Sequence, residues 1–255
     1  MINPNNLTST PKALMDRLTT LIEKFHLSVQ PAPNGDANLI AICNAKGAPR
    51  EVRFYTRGVS DWADMDRLMF AARVDWAGPS NPLMAALPDR IDYDLADKGD
   101  TQTLVQLMYA EATGGRCGAQ SVMSRLGEAL IVRLLRDQMR EGRTEVGLLA
   151  GLADPRLSRA IVAMHDHPGR LWTNADLAEA AGLSLSRFSE LFSDIVGETP
   201  MGYLRRWRLI LAHQDVRRGD RIDAVARRYA YASPESFTRA FRKSYGVAPS
   251  ALRAA

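Results

Sequence analysis

The feature that most restricts how this 255-residue chain can fold is an internal repeat near its C-terminus. Moving residues 184–204 forward by 49 positions places Ser184 on Ser233, Phe188 on Phe237, Phe192 on Phe241, Gly197 on Gly246 and Pro200 on Pro249. Each identity has a physical meaning. A serine caps a helix by accepting a hydrogen bond from an early backbone N–H. Two phenylalanines four residues apart lie on one helical face. A glycine ends the helix where positive φ is needed. The proline opens the next segment. The pattern predicts, twice over, a capped helix of about three turns docked by two aromatic rings.

What precedes each capped helix completes a motif. Residues 176–181, Asp-Leu-Ala-Glu-Ala-Ala, read as a short helix with Gly182 at the turn. Residues 222–229 are the counterpart, with Ala230 at the turn. Ala178 and Ala226 are small where the two helices must approach closely. Helix, tight turn and capped helix make a helix-turn-helix, whose second helix is built to lie in a DNA major groove. The two motifs span about 174–196 and 222–245. Between them, over residues 200–216, Tyr203, Leu204, Trp207, Ile210 and Leu211 follow helical spacing. That linker helix is long enough to hold the motifs apart as a rigid pair.

Charge supports this division. From Asp154 onward the chain holds 16 Lys and Arg against 11 Asp and Glu, whereas the preceding part holds 17 against 18. The basic surplus therefore belongs to the C-terminal part. It is nearly all arginine, whose guanidinium fork suits phosphate. No run approaches the ~18 apolar residues of a membrane span. The N-terminal residues lack the basic-then-apolar order of a signal peptide, which predicts a cytoplasmic protein with no membrane partner. Cys43 and Cys117 form no metal-binding spacing.

The first half reads differently. Residues 1–12 look like a tail. Residues 13–25 carry a helical face of Leu14, Leu18, Leu21, Ile22 and Phe25. Short apolar or alternating runs at 27–29, 39–42, 52–55 and 69–76 are separated by Pro/Gly/Asn/Asp clusters and predict a small, mostly antiparallel β region. Helical pattern returns near 101–112, breaks at Gly114-Gly115, and resumes over 119–140. Along that last segment Val122, Met123, Leu126, Leu130, Leu134 and Leu135 form a broad apolar stripe. The stripe is wider than a small β region would cover, which predicts a homodimer through this helix. A loose stretch over 141–153 is the expected domain boundary. Asp154 and Pro155 then read as an N-cap followed by proline at the first helical position.

Residues 154–253 resemble the DNA-binding domain of the AraC/XylS family of transcription regulators. The resemblance is carried by 177–184, Leu-Ala-Glu-Ala-Ala-Gly-Leu-Ser, by Phe188 with Leu191-Phe192, and by Gly-Glu-Thr-Pro at 197–200. It continues with Tyr203-Leu204, Arg208-Leu209 and Ala212 in the linker. In the second motif it rests on Tyr-Ala-Ser at 231–233, Phe237, Arg239-Ala-Phe241 and Tyr-Gly-Val-Ala-Pro-Ser at 245–250. It covers about 40% of the chain and implies a seven-helix domain that binds two adjacent major-groove segments. One departure concerns Ala230, where the family usually has glycine. Alanine resists positive φ, so a tightened or distorted turn is expected. Residues 114–130 and the 83–88 segment resemble the effector or oligomerisation half of one subgroup, in which a cupin-like barrel precedes the helices. The β-rich stretch is short for a full barrel, which predicts a reduced pocket or none.

The expected fold class is α+β. A small, reduced cupin-like β domain with helices (1–145, regulatory or oligomerising) precedes an all-α double helix-turn-helix domain (154–255). The candidate base-reading residues are Ser186, Arg187, Ser189 and Glu190 in the first motif and Glu235, Ser236 and Arg239 in the second, all facing away from the phenylalanine pairs. Arginine can read guanine and glutamate can accept from cytosine. Candidate phosphate contacts are Ser184, Ser233, Arg206, Arg242 and Lys243. Cys117, beside Arg116, is a candidate redox thiol, since a neighbouring cation favours the thiolate. The pair His165 and His167 is read as decoration of a surface helix end, not as a metal site. No cofactor and no enzyme chemistry are expected: no nucleophile–base pair, phosphate loop or carboxylate dyad stands at a useful spacing. The expected partners are double-stranded DNA, RNA polymerase, a small-molecule effector and a second copy of the chain. The alternatives are a small-molecule or thiol-redox sensor with secondary DNA binding, and a protein-interaction regulator without a ligand pocket.

Overall fold

A computed structural model of the chain describes residues 18, 21–22, 27–33, 35–57, 65–76, 81, 84, 87–140 and 146–252. The expected tail over 1–12 lies outside them. Of the helical face expected over 13–25, Leu18 and Leu21 are buried, and the Ile22 N–H donates to the Leu18 carbonyl at 2.9 Å. Leu14 and Phe25 lie outside the described residues.

The N-terminal half is built on one antiparallel sheet of five strands among the described residues: β1 (Ser28–Pro31), β2 (Leu39–Cys43), β3 (Pro49–Tyr55), β4 (Leu68–Asp75) and β5 (Arg90–Asp94). Their order is β1-β4-β2-β3-β5. Register is set by alternation: Val29 faces Val74, Ala41 faces Val52 and Phe70, and Val52 faces Tyr93 across the strands. Asn38 starts β2 by pairing like backbone, donating to the Val74 carbonyl at 3.1 Å and accepting from the Val74 N–H at 2.7 Å. Four of the strands fall on the runs expected from alternation, and β5 is an addition to them. Its cue is present: Ile91, Tyr93 and Leu95 point inward between Arg90, Asp92 and Asp94.

Helices α1 (Gly99–Thr113) and α2 (Ala119–Arg140) follow. Gly127 lets α2 lie directly on β1, because a Cβ there would overlap the Val29 side chain. Met123, Leu130, Ile131, Leu134 and Leu135 are all buried. The apolar stripe is therefore consumed mainly inside the chain, by the sheet and α1. Leu126 is partly buried, and Val122 remains 41% exposed. Contrary to expectation, the stripe is not left uncovered for a second copy of the chain.

The stretch read as loose contains a third helix, α3 (Leu148–Ala153). Leu148, Leu149 and Leu152 are buried, and Gly151 permits close packing on Ile161 and Val196. The six residues of α3 are too few for a helical period to show in the sequence. Seven further helices complete the described chain: α4 (Leu157–Asp166), α5 (Asn174–Ala181), α6 (Leu185–Val196), α7 (Pro200–Arg217), α8 (Ile222–Arg228), α9 (Pro234–Tyr245) and α10 (Pro249–Leu252). The expected N-cap at Asp154 with Pro155 opening the helix is corrected: α4 starts at Leu157 with Arg156 at its N-cap, and Asp154 braces the turn before it. Its carboxylate accepts from the N–H groups of Arg156 (2.7 Å) and Leu157 (3.1 Å), while Arg156 also pairs with it through the guanidinium at 2.7 Å. These bonds hold its pKa down to about 2.

Candidate nucleic-acid interface

Both motifs form, and the repeat is reproduced in space. Each recognition helix, α6 and α9, is 12 residues long. Ser184 accepts from the Arg187 N–H and Ser233 from the Ser236 N–H, as N-caps should. Phe188, Phe192, Phe237 and Phe241 are fully buried, and each pair meets edge-on, at 5.6 Å and 5.5 Å between ring centres. Gly197 and Gly246 end the helices at φ 83° and 75°.

The tight turns also match. In the first, the Leu183 N–H donates to the Ala178 carbonyl and Gly182 to Glu179; in the second, Tyr231 donates to Ala226 and Ala230 to Arg227. Both are the paired terminal bonds that close a helix on a left-handed residue. Gly182 holds that position at φ 68°, and Ala230 holds it at φ 58°. Alanine has thus been forced into the left-handed region and not into a different turn. The second turn carries one residue more, Ala232, before its serine cap. Ala178 and Ala226 are buried at the helix crossings.

Helix α7 runs between the motifs with Tyr203, Leu204, Trp207, Leu209, Ile210 and Leu211 buried. His165 packs into the same core. It lies 1% exposed, shares a 2.5 Å hydrogen bond with the Tyr203 hydroxyl, and stacks on Trp207 at 4.1 Å. The surface role expected for His165 is therefore corrected: it is a core histidine, and burial drives its pKa down to about 3. His167 is exposed, as expected. Among the described residues no group of His, Cys, Asp and Glu could hold a metal ion.

The candidate contact residues divide unequally between the two recognition helices. On α6, Arg187 and Glu190 neutralise each other through a 2.8 Å ion pair. Ser189 is half-buried and donates to the Leu185 carbonyl, while Ser186 is exposed. On α9, Arg239, Arg242 and Lys243 are exposed and form no salt bridge among the described residues. Glu235 is also exposed; its pKa is lowered by a hydrogen bond to Ser233 and by the nearby charge of Arg239. Ser236 is committed to the cap, donating to the Ser233 carbonyl at 2.7 Å and accepting from the Ser233 N–H at 3.1 Å. Its hydroxyl does not point to the outer face that the phenylalanine spacing suggested. Arg206 is half-buried, pairs with Glu198 and leans over the Tyr203 ring at 5.3 Å. It would have to leave that pair to meet a phosphate. Cys117 is exposed in the turn before α2, and Cys43 is half-buried at the end of β2.

Comparison with known proteins agrees with this geometry. The family described as "Helix-turn-helix domain" matches residues 177–255, and the family described as "Cupin" matches residues 23–140. The chain is 30% identical over 178 residues to the HTH-type transcriptional regulator AlkR of Acinetobacter baylyi, covering 68% of this chain and 58% of AlkR. It is 35% identical over 134 residues to a putative AraC-like transcription regulator of Streptomyces lividans, covering 52% of this chain and 44% of that protein. The chain carries an AraC-type helix-turn-helix domain. It spans about half the length of these AraC-type relatives. Among solved structures, an AraC-type DNA-binding regulator from Chromobacterium violaceum aligns over 40% of this chain and 92% of that one, at 23% identity and a TM-score of 0.38.

Two groups that the sequence reading gave no role stand out within this AraC-type domain. Arg208 donates to the carbonyls of Pro168 and Arg170, both at 2.7 Å. Asp215, 6% exposed, accepts from Arg228 at 2.5 Å and from the Tyr229 hydroxyl at 2.6 Å. The available signal was an acidic residue inside an otherwise apolar helical face, which demands buried partners.

Proposed function

We propose that this chain is a sequence-specific, double-stranded DNA-binding regulator of transcription. The observation that carries the reading is the pair of capped helices docked on one rigid linker, the second presenting an exposed basic face of Arg239, Arg242 and Lys243. Helix α6 supplies Ser186, Arg187 and Glu190 as shape and polar readout, while α9 supplies Arg239 for guanine and Arg242 and Lys243 for phosphate. The serine caps Ser184 and Ser233 lie at helix N-termini, where backbone N–H groups favour phosphate oxygens.

The organisation proposed is an N-terminal regulatory unit up to about 145 and a DNA-binding unit beyond it that includes α3. Control by a small-molecule effector, contact with RNA polymerase and homodimerisation belong to the same proposal. With the α2 stripe largely covered, a dimer rests on the apolar remainder at Leu107, Tyr109 and Val122, which are 52%, 41% and 41% exposed. Light scattering on the full chain at micromolar concentration tests it.

The decisive experiment is selection of duplexes from a random library by the full chain, followed by affinity measurement at several salt concentrations. A recovered consensus spanning about 20 base pairs, with affinity falling steeply with salt, supports the reading. Failure to enrich any sequence at low salt overturns it.

A further inference from the structure

The linker helix alone joins the two motifs at only one end of each. A second connection runs through the 167–173 loop that leads into the first motif. Arg208, midway along α7, ties this loop down through the Pro168 and Arg170 carbonyls. The Trp172 indole N–H donates to the His167 carbonyl at 3.0 Å, and Arg170 stacks on Trp172 at 4.0 Å, which fixes the shape of the loop.

At its tip, Gly169 touches the backbone of the second motif. A Cβ on Gly169 would overlap the Arg228 carbonyl oxygen, and a backbone atom cannot swing aside as a side chain would. Arg228 closes α8 and is itself immobilised, its guanidinium held by Asp215 at 2.5 Å and Asp220 at 2.6 Å. The contact therefore runs from the entry loop of the first motif, through Gly169 and Arg228, to Asp215 on α7. It closes a ring of contacts, and a closed ring fixes an angle that a single helical connection leaves free to bend.

We infer that Gly169 and Arg208 are positioning residues that set the spacing of the two recognition helices, and so the number of base pairs between the half-sites the chain accepts. This rests on the DNA-binding reading above. Neither residue needs to touch DNA. A preset spacing makes the second half-site contact effectively intramolecular, and that advantage is lost when the geometry does not fit.

The test uses the full chain and the duplex it selects, with one or two base pairs inserted between the protected half-sites. One inserted base pair moves the second half-site by about 3.4 Å and rotates it by about 35°. The wild-type chain should lose about ten-fold or more in affinity on the first insertion, the cost of one misaligned half-site. Gly169→Ala and Arg208→Gln should bind the uninserted duplex more weakly, yet lose only about three-fold or less on insertion, because their motifs adjust. Far-UV circular dichroism checks that the variants fold. Arg208→Gln adds no bulk, so it carries the test if Gly169→Ala does not fold. A wild-type chain indifferent to insertion, or folded variants with the wild-type spacing profile, overturns the inference. A wild-type chain that selects no duplex instead overturns the DNA-binding reading.

Discussion

Ala230 offers a test in which structure and sequence pull in opposite directions. Its φ of 58° places an L-residue with a side chain in the left-handed region, in a turn whose counterpart uses Gly182 at φ 68°. That conformation costs a non-glycine residue about 1–2 kcal/mol. Replacing Ala230 with glycine removes this strain but gives the unfolded chain more freedom, which costs about 0.4–1 kcal/mol. The difference leaves Ala230→Gly more stable by about 0.5–1 kcal/mol. If the chain melts as one unit, Tm should rise by about 2–4 °C per kcal/mol, and by about 4–8 °C if a unit of about 100 residues melts by itself. The reverse substitution should show the opposite sign. Gly182→Ala installs the same strain and brings a Cβ to 3.0 Å from the Arg159 guanidinium, so it should destabilise. Calorimetry on the two variants decides the matter. An Ala230→Gly chain that melts at or below the wild-type temperature would show that the turn carries no strain to relieve, and the argument fails.

Three further predictions follow from the same structure. Arg239→Ala should cost about 1–3 kcal/mol on the selected site and relax preference at one base pair, whereas Arg242→Ala should weaken all sequences equally and flatten the salt dependence by about one unit; a uniform loss for Arg239→Ala refutes base reading. Phe188→Ala and Phe237→Ala, which each empty a fully buried ring position, should cost about 3–5 kcal/mol in urea unfolding, and a cost below about 1 kcal/mol would mean the rings do not dock the recognition helices. His165 has a folded pKa of about 3, well below its unfolded value, so the unfolded chain binds the extra proton first. Its stabilising contribution is complete above about pH 6.5 and is lost as pH falls towards 3, at about 1.4 kcal/mol per pH unit. His213, also shifted down by burial, adds in the same direction. Urea unfolding between pH 7 and 5 should show this slope, and His165→Gln should reduce it; an unchanged slope removes His165 as the cause.

The C-terminal half was legible because its signals are local and repeated. Serine caps, paired phenylalanines and terminal glycines each determine a backbone event within a few residues, and the offset of 49 supplied them twice. The bounds of α2 and the core face of α7 followed from helical period in the same way. What escaped was short or non-local. Helix α3 has too few turns to show a period, and strand β5 hides its alternation among charges. His165 reads as a surface residue because it sits at a helix end beside Pro168 and Gly169. Only the tertiary approach of Tyr203 and Trp207 makes it core. The same holds for the interface. Spacing identified which face of each helix is outward, but not that Arg187 is already paired, that Ser236 serves its own cap, or that Arg206 is tied to Glu198. Those are choices among nearby partners, and sequence spacing does not rank them.

The unequal charge of the two recognition helices also has a consequence in time. Exposed cations govern how fast a charged surface finds its partner, while well-seated contacts govern how slowly it leaves. Arg239, Arg242 and Lys243 give α9 the exposed positive charge that draws in a polyanion, and the Arg187–Glu190 pair leaves α6 with little. Encounter should therefore begin at the second motif, with the first motif arriving late and departing early. The chain would then search along DNA on one foot, and only a sequence that persuades α6 to settle would hold it in place.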